Sequence, residues 1–401
     1  MMAFDMTVRG APQSYVFRPG CWEELGPRLA ELGIGRALVV HGGDSWRAAA
    51  PRFPEAGRAE FRFERYGGEC TSEERDRLAR IAFEERSEAI IGVGGGKLSD
   101  LAKAVAGRLK LPVVLLPTLA ATCSAWTPLS IMYDRNGAMV AYEIHPRANA
   151  LVLLDPLVLL NSPPELLAAG IGDTLAKWYE ADVILSRIPN PSVELTVASF
   201  AARTCRDNLL RDGEAALAAL AAGEFDDAFA RVVETVVLAA GMVGGFGDRY
   251  ARTAGAHSVH DGLTILPEAH AVRHGSKVAY GILVQLALEE RWAEIDSLLP
   301  FYGRVGLPAS LREMGLGSVS DERLRAVADR TVEGDASIHL LPGDITAERV
   351  LDAMRRLEAV TSFEAEPTRA STFRPSESQT AASEKKPARI TGEGDFRGDF
   401  I

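Results

Sequence analysis

The chain has 401 residues, of which 55 are acidic and 44 basic, giving a formal net charge of −11. This balance leaves no basic surface and argues against nucleic acid and anionic membranes as partners. Four cysteines lie far apart with no CxxC pair, which argues against a disulfide framework or a thiolate zinc cluster. The N-terminal stretch lacks the apolar core of a signal peptide, and prolines interrupt the apolar run 111–126. We therefore expect a soluble, cytoplasmic protein.

The first part of the chain alternates short apolar strand patterns with helical ones. Strands are predicted at 15–17, 36–40, 61–66, 89–93, 113–116 and 151–154, and helices at 22–32, 71–85 and 98–106. Strands that alternate with helices are typical of a doubly wound parallel sheet.

From residue 164 the pattern changes to helices alone. They are predicted at 164–186, 190–211, 214–221, 225–243, 249–262, 273–296, 308–314, 320–332 and 346–359. We therefore predict an α/β domain over 1–160 and an all-helical domain over 161–360. Residues 361–401 are rich in Ser, Thr, Pro, Glu and Lys and poor in aliphatic side chains, which predicts a disordered tail.

A glycine turn follows the predicted strand 89–93 and opens the next helix. The turn, Gly94-Gly95-Gly96, would let the backbone approach a pyrophosphate, and amides at the helix start attract its charge. Small and hydroxyl residues at 117–122 follow the next strand, and ligands of such sheets bind beyond the carboxyl ends of the strands. Both features favour a nucleotide site, although glycine turns also serve as simple connections.

Four of the seven histidines lie between His257 and His274. His257 and His260 are three residues apart on one helical face, and His270 and His274 are four apart. Imidazoles together with one carboxylate suit zinc or another divalent first-row metal. The alternative is that each histidine is a satisfied structural residue.

The stretch 168–181, AAGIGDTLAKWYEA, supplies a candidate carboxylate. Asp173 and Lys177 are four residues apart and therefore lie on one side of the predicted helix. An ordinary surface ion pair is the alternative interpretation.

Four motifs, in this order and spacing, resemble the glycerol dehydrogenase-like branch of the iron-containing alcohol dehydrogenase superfamily. They are GVGGGKLSDLAKAVA, PTLAATCSAWTPLSIMYD, AGIGDTLAKWYEA, and AGAHSVHDGLT followed by HGSKVAYG. Within that branch the chain looks most like bacterial hydroxycarboxylate dehydrogenases, which reduce 2-oxo acids. The resemblance covers about residues 10–360. It implies a dehydroquinate synthase-like fold, in which a nucleotide-binding domain precedes a helical domain and the metal and nicotinamide lie in the cleft between them.

The resemblance also implies roles for individual residues. Asp173, His257 and His274 match the metal ligands of the family, and zinc is expected rather than iron. The residues that match the cofactor site are Gly42, Gly95, Gly96, Lys97, Asp100, Thr118, Thr127, Leu129 and Tyr133.

Three departures from the family pattern bear on the substrate. Cys123 stands where glycerol dehydrogenases have an aspartate that helps to hold the polyol, and Lys177 stands where four-ligand iron enzymes have a histidine. Arg249 and Arg252 replace small or acidic residues. A lost diol partner and gained cations indicate an anionic substrate. Alternatively, Lys177 only balances the charge of Asp173, and its own charge would then weaken metal binding. The two arginines would in that case face solvent or a subunit interface.

These features predict an oxidoreductase that interconverts 2-oxo acids and 2-hydroxy acids with a metal as Lewis acid and a nicotinamide as hydride carrier. Lys177, with Arg252, would hold the substrate carboxylate, and His260 would relay a proton through water. A glycerol- or diol-type dehydrogenase is the second hypothesis, and a non-catalytic nucleotide- or metal-binding protein the third. We also expect a homo-oligomer.

The turn after the strand 36–40 bears on the choice of cofactor. NAD-preferring relatives place an acid there, whereas this chain has His41-Gly42-Gly43, with Ser45 and Arg47 within reach of a phosphate. Asp44 could still do the work of that acid. We expect NADP rather than NAD, because a positive charge suits the additional phosphate.

Overall fold

The computed structural model describes residues 5–55, 57–135 and 137–363. The strands in these ranges are β1 (Tyr15–Phe17), β2 (Arg36–His41), β3 (Glu60–Arg65), β4 (Ala89–Gly94), β5 (Val113–Pro117), β6 (Leu129–Tyr133), β7 (Met139–Ile144) and β8 (Leu151–Leu154). Six of them form one sheet in the order β1-β8-β5-β4-β2-β3, and every neighbouring pair is parallel. The predicted doubly wound sheet is therefore confirmed.

The first four helices connect strands of this sheet, and a short fifth helix follows its last strand. They are α1 (Leu25–Glu31), α2 (Asp44–Ala49), α3 (Ser72–Glu84), α4 (Gly96–Leu109) and α5 (Pro156–Leu159). The start predicted for α3 is correct, because the hydroxyl of Thr71 accepts a hydrogen bond from the amide of Glu74 at 3.2 Å.

The rest of the described chain is helical. Its helices are α6 (Pro164–Leu185), α7 (Val193–Ala222), α8 (Asp227–Glu234), α9 (Ala240–Gly247), α10 (Gly255–Leu263), α11 (His274–Leu288), α12 (Trp292–Val305), α13 (Asp321–Thr331) and α14 (Ala347–Phe363). The predicted boundary at 160 falls between the last strand and α6, and the division into two domains stays a prediction. Of the predicted tail, 361–363 belong to α14, and 364–401 lie outside the described residues.

Several predicted element limits were wrong. The hairpin β6–β7 and helix α2 were not predicted, and 308–314 forms turns rather than a helix. The two helices predicted at 190–211 and 214–221 are the single helix α7, whereas the one predicted at 273–296 is divided into α11 and α12. A π-helical turn, Thr235–Ala239, interrupts the helix predicted at 225–243.

The segment Asp227–Tyr250 has the length and apolar composition that a membrane-spanning helix needs, with a mean hydropathy of 1.5. However, 67% of its most apolar window is buried inside the protein. Because α7 packs on both α8 and α9, this burial is that of a core helix.

The order of the strands determines where a ligand can bind at the edge of the sheet. From β2 the chain continues to β3 on one side and then crosses to β4 on the other. The carboxyl ends of β2 and β4 are therefore neighbours, with His41 paired to Val93. Where the chain reverses its direction along the strand order in this way, a crevice forms at the carboxyl edge of the sheet. The turn after β2 and the glycine turn after β4 lie on its two sides.

A buried ion pair on α4 holds the loop that leads from β5 to β6. The ammonium of Lys103 lies 2.9 Å from the carboxylate of Asp100, and both side chains are almost fully buried. The ammonium also donates to the main-chain oxygens of Ser124 (2.6 Å), Thr127 (3.0 Å) and Leu129. This pair therefore fixes the loop beside the glycine turn.

Lys103→Ala should lower the free energy of unfolding by about 3–5 kcal/mol, because it leaves the Asp100 carboxylate buried without its cation. Denaturant unfolding of the full chain measures this. Arg108→Ala on the same helix is the control, since that side chain is exposed and should cost less than about 1 kcal/mol. Equal losses for the two variants would contradict the assignment.

Candidate metal centre

Three helices bring one carboxylate and two imidazoles together. Asp173 lies in the middle of α6, His257 in the first turn of α10, and His274 at the start of α11. The Asp173 Oδ1 atom is 3.2 Å from His257 Nε2 and 3.4 Å from His274 Nε2, and the three donor atoms lie within 4.8 Å of one another. A converging set of one oxygen and two nitrogen donors fits a divalent first-row metal.

Glycines allow these helices to approach closely enough. A Cβ atom on Gly275 of α11 would collide with the main-chain oxygen of Ala169 in α6, and one on Gly172 would lie 2.7 Å from the oxygen of Gly275. A Cβ on Gly281 would likewise collide with the oxygen of Ala256 in α10. The backbones of α6, α10 and α11 are therefore in direct contact around the candidate ligands.

Glu180, which the sequence analysis did not identify, orients His257. One carboxylate oxygen accepts hydrogen bonds from the amides of Ala254 (2.6 Å) and His257 (2.9 Å), and the other lies 2.6 Å from His257 Nδ1. Burial alone would lower the pKa of His257, but the carboxylates of Glu180 and Asp173 together raise that pKa to about 9. With Nδ1–H directed to Glu180, the Nε2 atom faces Asp173.

His260 lies behind His274. Its Nε2 atom is 2.9 Å from His274 Nδ1, and its own Nδ1 atom is 2.9 Å from the carboxylate of Asp261. Burial, together with the charge of His274, lowers the pKa of His260 to about 3. Both ring nitrogens thus have protein partners, which does not favour the predicted relay through water. His270 is not part of the group, because its ring lies 3.0 Å from the main-chain oxygen of Thr264 on the surface.

Lys177 is a buried residue, so the interpretation of an ordinary surface ion pair was wrong. Lys177 and Asp173 are 6% and 4% exposed. The Lys177 ammonium donates to the main-chain oxygen of Arg252 at 3.2 Å. Burial would lower the pKa of Lys177, but the carboxylates of Asp173 and Glu180 together with two nearby thiols raise that pKa. The charge of Lys177 also lowers the pKa of the Cys123 thiol. Burial has the larger effect, so this pKa is raised.

The two arginines do not both reach this site. Arg252 contacts Lys177 through its main-chain oxygen, while its guanidinium pairs with Asp248 at 3.0 Å. Arg249 is exposed and lies 5.2 Å from the centre of the Tyr250 ring. The described contacts therefore give Arg252 a role in positioning Lys177, and the solvent-facing alternative holds for Arg249.

The glycine turn lines a cavity at the sheet crevice. The residues that line it are Gly94, Gly95, Gly96, Ser99, Pro117, Leu119, Thr122, Ala125 and Val237. A Cβ atom on Gly96 would lie 2.8 Å from Thr122 Oγ1, so a side chain at this position would fill the turn. Next to it, the hydroxyl of Thr118 is buried without a hydrogen-bond partner in the described part of the chain. An unpartnered buried hydroxyl fits a ligand that supplies the missing hydrogen bond.

The other predicted cofactor residues form two groups: those beside the crevice, and those that support the loop between β5 and β6. Lys97 pairs with Glu69 at 2.6 Å and lies 5.4 Å from the centre of the Tyr133 ring, at the mouth of the crevice. Gly42 lies in the turn after β2, where a Cβ atom would collide with Ser45 Oγ.

The second group, Asp100, Thr127 and Leu129, supports the loop between β5 and β6. The carboxylate of Asp100 faces inward, where it accepts from the hydroxyl of Ser124 at 2.6 Å and pairs with Lys103. These contacts give Asp100 a part in holding the loop, and its expected place in the cofactor site stays a prediction. Thr127 and Leu129 contribute main-chain oxygens to the same lysine.

Comparisons with known proteins identify the family of this chain. The family model of the iron-containing alcohol dehydrogenases matches residues 12–156. Hydroxycarboxylate dehydrogenase A of Escherichia coli K12 is 39% identical over 349 residues, covering 87% of this chain and 96% of that protein. A glycerol dehydrogenase of Pseudomonas putida is 36% identical over 365 residues, covering 86% and 95%.

Solved structures show the same relationship. The crystal structure of a probable glycerol dehydrogenase from Sinorhizobium meliloti 1021 superposes with a TM-score of 0.81 at 34% identity, covering 88% of this chain and 98% of that one. The chain therefore belongs to the iron-containing alcohol dehydrogenase family, in its glycerol dehydrogenase-like branch, and is a dehydrogenase that acts on CH–OH groups.

Proposed function

We propose that the protein is a metal- and NAD(P)-dependent dehydrogenase that interconverts 2-oxo acids and 2-hydroxy acids. The observation that carries this proposal is the buried ammonium of Lys177 beside Asp173. An ammonium has three N–H donors, and in the described residues only the Arg252 oxygen accepts from it. A substrate carboxylate would satisfy the remaining donors. The similarity to hydroxycarboxylate dehydrogenase A supports the same substrate class.

Asp173, His257 and His274 would hold the metal, which we propose to be zinc rather than iron. Hydrogen bonds around these ligands select one tautomer for each imidazole. The Nδ1–H of His257 donates to Glu180, and the Nδ1–H of His274 donates to His260, which in turn donates to Asp261. With the metal in place of the Nε2 protons, both Nε2 lone pairs would be free to bind it beside Asp173. Outer contacts of this kind orient metal-binding histidines in many proteins.

When bound, the metal would supply Lewis acidity at the substrate carbonyl, and the nicotinamide would carry the hydride. The residues of this chain do the binding and orientation. Lys177 would hold the carboxylate, and Arg252 would position Lys177 through its main-chain oxygen. His260 would act as a positioning residue for His274, rather than as the proton relay through water.

The cofactor would lie along the crevice at the carboxyl edge of the sheet. Gly95 and Gly96 would admit its pyrophosphate, and the Thr118 hydroxyl and Lys97 would donate to it. We propose NADP rather than NAD, because the turn after β2 has glycines where an acid would repel an additional phosphate. We expect that Asp44 does not replace that acid, because its exposed carboxylate is paired with Arg47.

A glycerol- or diol-type dehydrogenase is the second candidate, and the glycerol dehydrogenase relatives favour it. Cys123 argues against it, because a thiol with a raised pKa lies beside Lys177 and offers no carboxylate to a polyol. The convergent donor set and the glycine turn argue against a non-catalytic protein. A cytoplasmic location, a homo-oligomeric state and the lack of nucleic acid or membrane partners stay predictions.

The substrate class is tested by steady-state assays of the purified chain. A panel of 2-oxo acids with NADPH and NADH should give higher kcat/KM values than glycerol or other diols give in the oxidative direction. Asp173→Ala, His257→Ala and His274→Ala should each abolish turnover and zinc binding while the circular dichroism spectrum is kept. A preference for glycerol over every hydroxy acid would refute the proposed substrate, and full activity of any of the three variants would refute the metal site.

Glu180→Gln should weaken the affinity for zinc by about 10- to 100-fold, because the amide cannot replace the carboxylate that accepts from His257. Competition with a chromogenic chelator measures the affinity. Glu214→Gln is the control, since that glutamate is 62% exposed on α7 and should leave zinc binding unchanged. A Glu180→Gln protein with wild-type zinc affinity would show that Glu180 only caps α10.

Lys177→Met should reduce kcat/KM for a 2-oxo acid by roughly 10- to 150-fold, the effect of losing one charge-assisted hydrogen bond. An uncharged aldehyde of similar size should lose far less, because it has no carboxylate to bind. Both substrates are assayed on the same zinc-loaded preparation, with zinc content determined for each variant. Equal losses for the two substrates would mean that Lys177 supports Asp173 or the helix instead.

A further inference from the structure

Arg65 ends strand β3 beside the turn that follows β2. The two strands pair in parallel, and His41 is the partner of Arg65 in the register. A Cβ atom built on Gly43 would lie 2.8 Å from Nη2 and 3.3 Å from Cζ of Arg65. The guanidinium therefore lies on the bare backbone of this turn, in space that any side chain at residue 43 would occupy.

The guanidinium of Arg65 has no ion-pair or hydrogen-bond partner within the described ranges, and its side chain is exposed. The arginines around it are all paired. Arg47 pairs with Asp44, Arg62 with Glu64 at 2.8 Å, and Arg77 with Glu74 at 2.7 Å. Unlike these three arginines, Arg65 has a charge that no carboxylate of the described residues balances.

The groups around the turn suit a phosphorylated ribose that carries a planar base. Ser45 Oγ lies so close to Gly42 that a Cβ atom there would collide with it, and the ring of Tyr66 would be 3.4 Å from the same atom. The turn therefore offers a hydroxyl, a guanidinium and an aromatic ring around two residues without side chains. Arginine is the residue best shaped to bind a phosphate with two hydrogen bonds.

We infer that Arg65 binds the 2′-phosphate of NADP and is the main determinant of cofactor preference. The inference rests on the proposed function, which places a dinucleotide in the crevice between the two turns. With the pyrophosphate at Gly94–Gly96, the adenosine ribose would lie at the neighbouring turn after β2. There the phosphate would meet Arg65 and the hydroxyl of Ser45. Arg47, the cation suggested by the sequence, has its charge balanced by Asp44.

This inference is tested by measuring the affinities of the full-length protein for NADPH and NADH. Binding is monitored through the fluorescence of the nicotinamide, without any substrate. Arg65→Gln should weaken NADPH binding by about 10- to 150-fold, the effect of one charge-assisted hydrogen bond, and change NADH binding by less than about 3-fold. Arg65→Lys should show an intermediate loss, because an ammonium keeps the charge but not the paired donors.

Arg62→Gln is the matched control, since it removes the same charge from the same strand at a residue that pairs with Leu38 instead of the turn. It should leave both affinities unchanged. An equal loss of NADPH and NADH binding in Arg65→Gln, or a selective loss of NADPH binding in Arg47→Gln alone, would overturn the inference. So would a wild-type protein that binds NADH as tightly as NADPH.

The outcome is separable from that of the proposed function. A protein with Arg65-dependent NADPH binding that reduces no 2-oxo acid would support this inference and refute only the proposed substrate. Reduction of 2-oxo acids with wild-type cofactor preference in Arg65→Gln would refute this inference and support the proposed function.

Discussion

Direct contact between the backbones of α6, α10 and α11 is the constraint on which the candidate site depends. The donor atoms of Asp173 and His274 can lie 3.4 Å apart only because Gly172 and Gly275 let their helices touch. A glycine inside a helix costs about 1 kcal/mol relative to alanine, so these residues reduce local stability. In return, they allow a short distance between the helices, which larger side chains would not permit.

That close packing also determines the electrostatics. Asp173, Lys177 and Glu180 are spaced by four and three residues, so α6 presents all three on one buried face. Two carboxylates and one ammonium together with a divalent cation would leave one net positive charge in the site. A neutral residue at 177 would remove that excess. Lys177 therefore makes the pocket favourable to an anion, while the carboxylates keep the ammonium charged despite its burial.

The sequence predicted best what depends on local pattern. The central strands β2, β4, β5 and β8 are buried on both faces and read as continuous apolar runs, which is why their limits were nearly correct. The hairpin β6–β7 was missed because β7 is largely exposed and shows no clear alternation. The candidate metal ligands came from motif resemblance. Glu180 carried a usable signal, since it lies seven residues after Asp173 on the same helical face.

Other features could not be predicted, because they depend on contacts between distant residues. The sequence places Ser45 and Arg47 near the turn after β2, and Arg47 is therefore the cation that the sequence suggests. However, Asp44 is three residues away on the same short helix, so local geometry pairs these two charges with each other. Arg65 is 22 residues from Gly43 in the chain and reaches the turn only through the parallel register of β2 and β3. At a sheet edge of this kind, the neighbouring strand therefore determines which unpaired charge lies against the turn.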